Sequence, residues 1–249
     1  MGEYKRGIST LQKGIEALMS PESVRLWQGL RSQMLQQAGL HKTIPNYIFW
    51  PEFNKANGGR GNGRVVKDMG IIIADIFRPV RPTHVLGIKD SGVPIAEEVY
   101  ENCNRSDSNG GSQLLFAERY FKEPKNADGI VVVGESYKNL GQPCYFVIPY
   151  FPPGSVVLEI DDTGARGKTA IPCAKGIMSQ EGVTLAGLAV GFDKAFQGWT
   201  GELERLHQET YYFPTFSVVR VAGITYDNGL DNGSGQIHLL PETEARKII

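Results

Sequence analysis

The sequence predicts an α/β protein built on a mostly parallel sheet with helices on both faces. Three observations carry this. Short apolar runs of strand length, "HVLGI", "GSVVLEI", "TLAGLAVGF" and "FSVVRVAGI", recur along the chain. The first two are each followed by a turn rich in glycine or other small residues, and then by a pattern of helical period. The 249 residues are 41% hydrophobic and 21% charged, enough for a sizeable core. Strands that alternate with helices form a parallel sheet covered on both faces.

Taken in order, residues 9–40 read as helical, with apolar residues three and four apart. Ser20-Pro21 supplies an N-cap and a first-turn proline, and Gly39 a stop. Residues 43–63 mix aromatics with Gly and Asn and read as loop. The next stretch, "RVVKDMGIIIADIFRPVRP", predicts a helix with Val66, Met69, Ile73 and Ile76 on its apolar face, closed by Pro79 and Pro82. "THVLGIKDSGVPIAEEVYE" is a strand, a Gly-containing turn and a helix, and "LLFAERYF" a further strand. Between Lys122 and Pro153 the runs "GIVVVGESY" and "CYFVIPY" suggest a hairpin projecting from the core. After "GSVVLEI" a helix is expected from about Gly167 to Gln180, with Pro172 in its opening turn, where a missing N–H is tolerated. "TYDNGLDNGSGQIHLL" has two Asn-Gly steps and an alternating end, and so reads as an edge hairpin.

Composition narrows the functional classes. With 26 basic and 27 acidic residues the formal net charge is -1, so no global field draws nucleic acid or an anionic membrane. No segment approaches the ~20 apolar residues of a membrane span. Cys103, Cys144 and Cys173 are odd in number and widely spaced, which suggests a reducing, cytoplasmic setting rather than a disulfide framework. His41, His84, His207 and His238 share no metal-ligand spacing.

The chemistry concentrates in "VVLEIDDTGARGKTA", Val156 to Ala170. Its Gly-Lys-Thr looks like the end of a nucleotide-binding P-loop, but the position five before Gly167, where that motif needs glycine, is Asp162. In an open α/β sheet, ligands bind outside the carboxyl ends of the strands. A loop rich in Thr163, Gly164, Ala165, Gly167 and Thr169 that opens a helix gathers free backbone N–H groups at a positive helix end, and so suits a phosphate monoester. Asp161 and Asp162 precede that nest. They suit sugar hydroxyls or a hydrated Mg²⁺. A phosphorylated sugar explains both halves.

These residues resemble the phosphoribosyl-diphosphate (PRPP) motif of the type I phosphoribosyltransferases: apolar strand, two acids, small-residue loop. "THVLGIKDSGVPIAEEVY" is similar to that family's pyrophosphate loop, and "GVTLAGLAVGFDKAFQGWTGELERL…FSVVRVAGI" to the bacterial xanthine enzymes; the resemblance spans roughly residues 83–240. It implies the type I phosphoribosyltransferase fold: a Rossmann-like, mostly parallel central sheet flanked by helices, with a smaller hood. Residues 1–63 would be an N-terminal helical extension or hood and 64–249 the transferase domain.

Residue by residue, the resemblance implies that Asp161 and Asp162 contact the ribose hydroxyls and hold Mg²⁺, directly or through water. Thr163, Gly164, Ala165, Arg166, Gly167, Lys168 and Thr169 would bind the 5-phosphate. Lys89, Asp90, Ser91 and Gly92, with Arg119 and Lys122, would take the pyrophosphate. Lys194 would meet the exocyclic oxygen of a 6-oxopurine, and residues 122–153 would form a mobile cover. The implied activity is Mg²⁺-dependent transfer of phosphoribose from PRPP to xanthine, guanine or hypoxanthine by a soluble homodimer. Adenine or orotate is the alternative acceptor, and a PRPP-binding regulator without turnover the alternative role. The chain departs from the family at Arg166, which adds a charge to the 5-phosphate site or crowds it, and at Glu118, which intrudes on a basic cluster. Lys89 and Asp90 also depart, standing where small or acidic residues are usual.

Overall fold

The computed structural model describes residues 18–40, 48–50, 63–89, 91–106, 111–135, 142–227 and 234–248. Helix α1 (Pro21–Gln37) starts where the sequence places it: the Ser20 side chain accepts a hydrogen bond from the Ser23 N–H, and Pro21 takes the first turn. Residues 9–17 of the expected helix lie outside the described residues. The inner stripe of α1, Ser23, Trp27, Leu30 and Met34, repeats at helical spacing. The chain then forms β1 (Gly39–Leu40), which pairs antiparallel with β2 (Ile48–Phe49). Ile48 and Phe49 therefore correct the expectation of loop at those two positions.

Helix α2 (Arg64–Phe77) carries the expected face and more: eleven of its residues are buried, from Val65 to Phe77. The stripe is wide because α2 has helices on two sides, α1 and the helix over Val93–Ser106. The α1 contact is polar at one end, where Ser23 Oγ and Ser20 N donate to Asp75. Elsewhere on α1, Trp27 Nε1 donates to Val218 O at 2.7 Å. The described N-terminal helix is thus packed into the main core.

Eight strands form one sheet. After β3 (His84–Ile88) and α3 (Val93–Ser106) come β4 (Gln113–Tyr120), β5 (Ile130–Glu135), β6 (Pro143–Ile148) and β7 (Val156–Gly164). Next are α4 (Ala170–Met178), β8 (Thr184–Lys194), α5 (Trp199–Glu209), β9 (Thr215–Tyr226), β10 (Gly235–Leu239) and α6 (Glu242–Ala245). The order across the sheet is β10-β9-β8-β7-β3-β4-β6-β5. The five central strands are parallel, and β10, β6 and β5 flank them through antiparallel pairings. One core joins α1, α2 and α3 to one face, and a second joins α4 and α5 to the other.

Two expectations change. The β5–β6 hairpin does not project from the core: Glu118, Arg119 and Tyr120 of β4 pair with β6, so the hairpin continues the sheet. Helix α4 spans 170–178, shorter than expected, because β7 runs on to Gly164 and a tight turn intervenes. Helix α5 is an addition to the expected elements. Its apolar residues Trp199, Leu203 and Leu206 follow helical spacing but lie between glycines and charges.

The chain passes from β3 outward to β4 and later returns to place β7 on the opposite side of β3. The strand order therefore reverses between β3 and β7, and a crevice opens outside their carboxyl ends.

Candidate active site

The acids Asp161 and Asp162 sit near the end of β7, at that crevice. Asp161 is buried, and the backbone N–H of Asp162 donates to its Oδ1 at 2.8 Å. Burial first, and the charge of Asp162 second, push the Asp161 carboxyl well above the usual carboxylate range; Arg119 on β4 pulls the other way. Two acids at one corner, one of them desolvated, leave acceptor capacity that hydroxyl donors or a hydrated divalent cation can satisfy. The donor set fits Mg²⁺, a hard cation that takes carboxylate oxygens and keeps several waters.

The loop after β3 meets this corner directly. A Cβ on Gly92 would lie 2.7 Å from Ile160 O, 2.8 Å from Ile88 O and 3.0 Å from Asp161 Cα, so the loop approaches β7 as only glycine permits. Ser91 is half-buried beside it, while Asp90 lies outside the described residues. Lys89 is held by its own surroundings. Its N–H donates to Ala117 O at 3.1 Å, and its ammonium reaches Glu118 and lies over the Phe116 ring. Glu118, the acid that intrudes on the expected basic cluster, is thus the ion-pair partner of Lys89. Arg119 lies over the Phe121 ring at 5.2 Å and is close enough for Asp161 to feel its charge. Lys122 is exposed beyond the end of β4.

The 163–169 loop begins inside β7, where Thr163 and Gly164 pair with Phe192 and Asp193 of β8. Ala165, Arg166 and Gly167 form a bend, and Lys168 and Thr169 a turn into α4. Thr169 occupies the N-cap position without a side-chain cap bond. Arg166 is exposed. Lys168 points to the hairpin: its ammonium is 3.3 Å from Glu135, and the Glu135 N–H donates to Lys168 O at 3.1 Å. The β5–β6 hairpin is therefore stapled to this loop.

Lys194 ends β8 and is almost fully buried. Burial lowers its pKa to about 8, against the charge of Asp162, which raises it. The residue before it, Asp193, forms a buried ion pair with Arg220: Nε to Oδ2 is 2.9 Å, and Ser217 Oγ donates to the same oxygen at 3.0 Å.

The carboxyl end of the sheet thus brings together Gly92, Asp161, Asp162, the 163–169 loop and Lys194, with Arg119 within electrostatic reach. The ammonium groups of Lys89 and Lys168 are engaged by Glu118 and Glu135, and Lys122 lies past the strand end. Sequence reasoning passes over Glu159, Trp199 and the Asp193–Arg220 pair. Glu159 lies two residues before Asp161. It is fully buried, and neither carboxyl oxygen has a hydrogen-bond partner among the described residues. Burial, then the Asp161 charge, push its pKa well above the usual carboxylate range. The available signal is an acid inside an otherwise apolar strand, "VVLEI".

No protein-family model matches the chain, and no curated protein matches it in sequence. Solved structures do match. Adenine phosphoribosyltransferase from Saccharomyces cerevisiae, complexed with an imino-altritol bisphosphate and adenine, is 14% identical. The TM-score is 0.56, over 77% of this chain and 99% of that one. The Trypanosoma brucei adenine enzyme, in complex with AMP, pyrophosphate and ribose-5-phosphate, is 17% identical with a TM-score of 0.57, over 77% of this chain and 79% of that one. That of Rhodothermus marinus is 15% identical with a TM-score of 0.54, over 78% and 99%. The fold is that of the type I phosphoribosyltransferases, as the motif implied. These similar structures are adenine enzymes, whereas the sequence motifs led to the expectation of xanthine enzymes. Among the described residues no helix is long and apolar enough to cross a membrane.

Proposed function

We propose that the protein is a phosphoribosyltransferase that moves the 5-phosphoribosyl group of PRPP onto a ring nitrogen of a purine base and releases pyrophosphate. The observation that carries this is the contact of Gly92 with Ile160 and Asp161, which sets the β3 loop, the paired acids and the 163–169 loop side by side at the strand-order reversal. A diphosphate, a ribose and a monophosphate in that succession are the three parts of PRPP.

Displacement at the anomeric carbon builds positive charge on the ribose while a highly negative group leaves. Asp161 and Asp162 would hold the ribose hydroxyls and offset that charge, and loop N–H groups would hold both phosphate ends. Mg²⁺ held through these acids would neutralise the diphosphate. The hairpin, tied to the phosphate loop through Glu135 and Lys168, stands where a cover can exclude water.

Lys194 favours a 6-oxopurine, because an ammonium donates to an exocyclic oxygen and not to an amino group. Adenine is the second reading, favoured by the adenine enzymes among the similar structures. Assembly as a homodimer in the cytoplasm belongs to the same proposal. The test is pyrophosphate release from PRPP with Mg²⁺ and a panel of bases: turnover with hypoxanthine, guanine or xanthine supports the first reading, and with adenine alone the second. PRPP binding with no turnover on any base identifies a sensor instead, and no PRPP binding overturns the proposal.

A further inference from the structure

The phosphate loop lies on an indole. Trp199, the first residue of α5, is fully buried, and Cβ atoms built on two loop glycines would crowd its ring. On Gly164 a Cβ would stand 3.0 Å from Cε2 and 3.1 Å from Cδ2; on Gly167, whose φ is +67°, it would stand 3.3 Å from Cζ3. The ring therefore spans the loop from its strand end to its bend. Real Cβ atoms seldom come that close, so glycine at 164 lets the backbone rest on the ring; at Gly167 the Ile171 side chain, 2.4 Å from such a Cβ, is the nearer neighbour and the ring lies just beyond it.

The floor itself is fixed. Arg220 of β9 holds Asp193 near the end of β8, and it donates to Oγ1 of Thr200, the neighbour of Trp199 in the chain, at 3.3 Å. Its third contact is with α6, where it donates to the carbonyl oxygen of Glu244 at 3.3 Å. The start of α5 is thus tied through one guanidinium to β8, β9 and α6.

One feature of this floor is unsatisfied. Trp199 Nε1, bonded to the Cε2 atom beneath Gly164, is buried and has no hydrogen-bond partner among the described residues. A buried donor without an acceptor is costly and uncommon. A peptide unit that aims its N–H at a phosphate aims its C=O the opposite way, towards this floor. We propose that Trp199 is the positioning residue of the phosphate loop: its ring is the floor, and its Nε1–H donates to a loop carbonyl when the loop closes on a phosphate. This rests on the assignment of residues 163–169 to the 5-phosphate.

The test follows the indole N–H signals of the ¹⁵N-labelled full chain during titration with ribose 5-phosphate, with binding measured in parallel by calorimetry. The chain has three tryptophans, and loss of one signal in Trp199→Phe assigns the relevant one. The Trp199 proton signal is expected to move downfield in step with binding, while those of Trp27 and Trp50 hold. Trp199→Phe keeps a flat floor but removes the donor. It should raise KM for PRPP roughly five- to tenfold, the size of one neutral hydrogen bond, and leave kcat within about twofold. Trp199→Leu removes the floor as well and should raise KM further. Ribose 5-phosphate that binds with the Trp199 signal unmoved, or an unchanged KM in Trp199→Phe, overturns the proposal while leaving the 5-phosphate assignment standing. If the wild-type protein does not bind ribose 5-phosphate at all, that assignment falls and this proposal with it. Should Trp199→Leu fail to fold, the wild-type titration and Trp199→Phe decide the matter.

Discussion

Lys194 has two consequences that can be measured separately. Its folded pKa of about 8 lies below the ~10.4 of a free lysine, so between those values the unfolded chain binds more protons. Stability therefore rises with pH across that window, and below pH 8 the fold carries the full cost of the buried charge. Lys194→Met should be more stable than wild type at pH 7, with the gap in urea midpoint narrowing towards pH 10. A gap independent of pH would show that the shift is absent. In catalysis the sign reverses: if the ammonium reads the base, kcat/KM for an oxopurine falls as pH rises through about 8. The acids at the crevice lead to a simpler expectation. Asp161→Asn with Asp162→Asn should raise KM for PRPP and lower kcat by at least ~10²-fold, the range for losing aligned electrostatic groups. Unchanged pyrophosphate release would remove both from the site. Glu159 offers a contrast, since its buried carboxyl has no hydrogen-bond partner among the described residues. Glu159→Leu should raise the urea midpoint, by about 1–3 kcal/mol of stability, because it relieves the desolvation of an unmade hydrogen bond.

At the scale of elements, the sequence shows whatever is written in local periodicity. The strand-turn-helix units at β3 and β7 are legible, since apolar runs, small residues and helical spacing follow one another within a short stretch. The acids at the end of β7 and the glycine-containing loop after it are legible for the same reason. Helix α5 is not, because its inward residues are few and it carries Trp199 under a loop from a distant part of the chain. The hairpin is legible but its place is not: "GIVVVGESY" and "CYFVIPY" declare two strands, whereas their continuation of β4 depends on a pairing with Glu118, Arg119 and Tyr120 that no local pattern announces. The ion pairs of Lys89 with Glu118 and Lys168 with Glu135 are hidden likewise. Helix α1 supplies a stability test at this scale. Trp27→Ala empties a buried site and removes the bond to Val218 O, and should cost about 3–5 kcal/mol in chemical denaturation. A loss below ~1 kcal/mol would mean that α1 is peripheral to the fold.

For the whole molecule, the reversal of strand order between β3 and β7 decides where two distant stretches of chain meet. Residues 91–92 and 165–169 are far apart in sequence, yet they follow neighbouring parallel strands, β3 and β7. Their separation is set by backbone pairing, about 4.8 Å between strands, and not by flexible side chains. Gly92→Ala should disturb both loops at once, since its new methyl group would press on Ile160 O and Asp161 Cα. The expected result is a raised KM for PRPP together with a lowered melting temperature; a change in neither would show that the contact yields easily. That rigid spacing makes the crevice a ruler. On the proposed reading a donor would be gauged by the length between its two anionic ends: a sugar phosphate with a single anionic group would engage one loop alone, and one with a longer reach between its anionic ends would fall out of register whatever base is on offer.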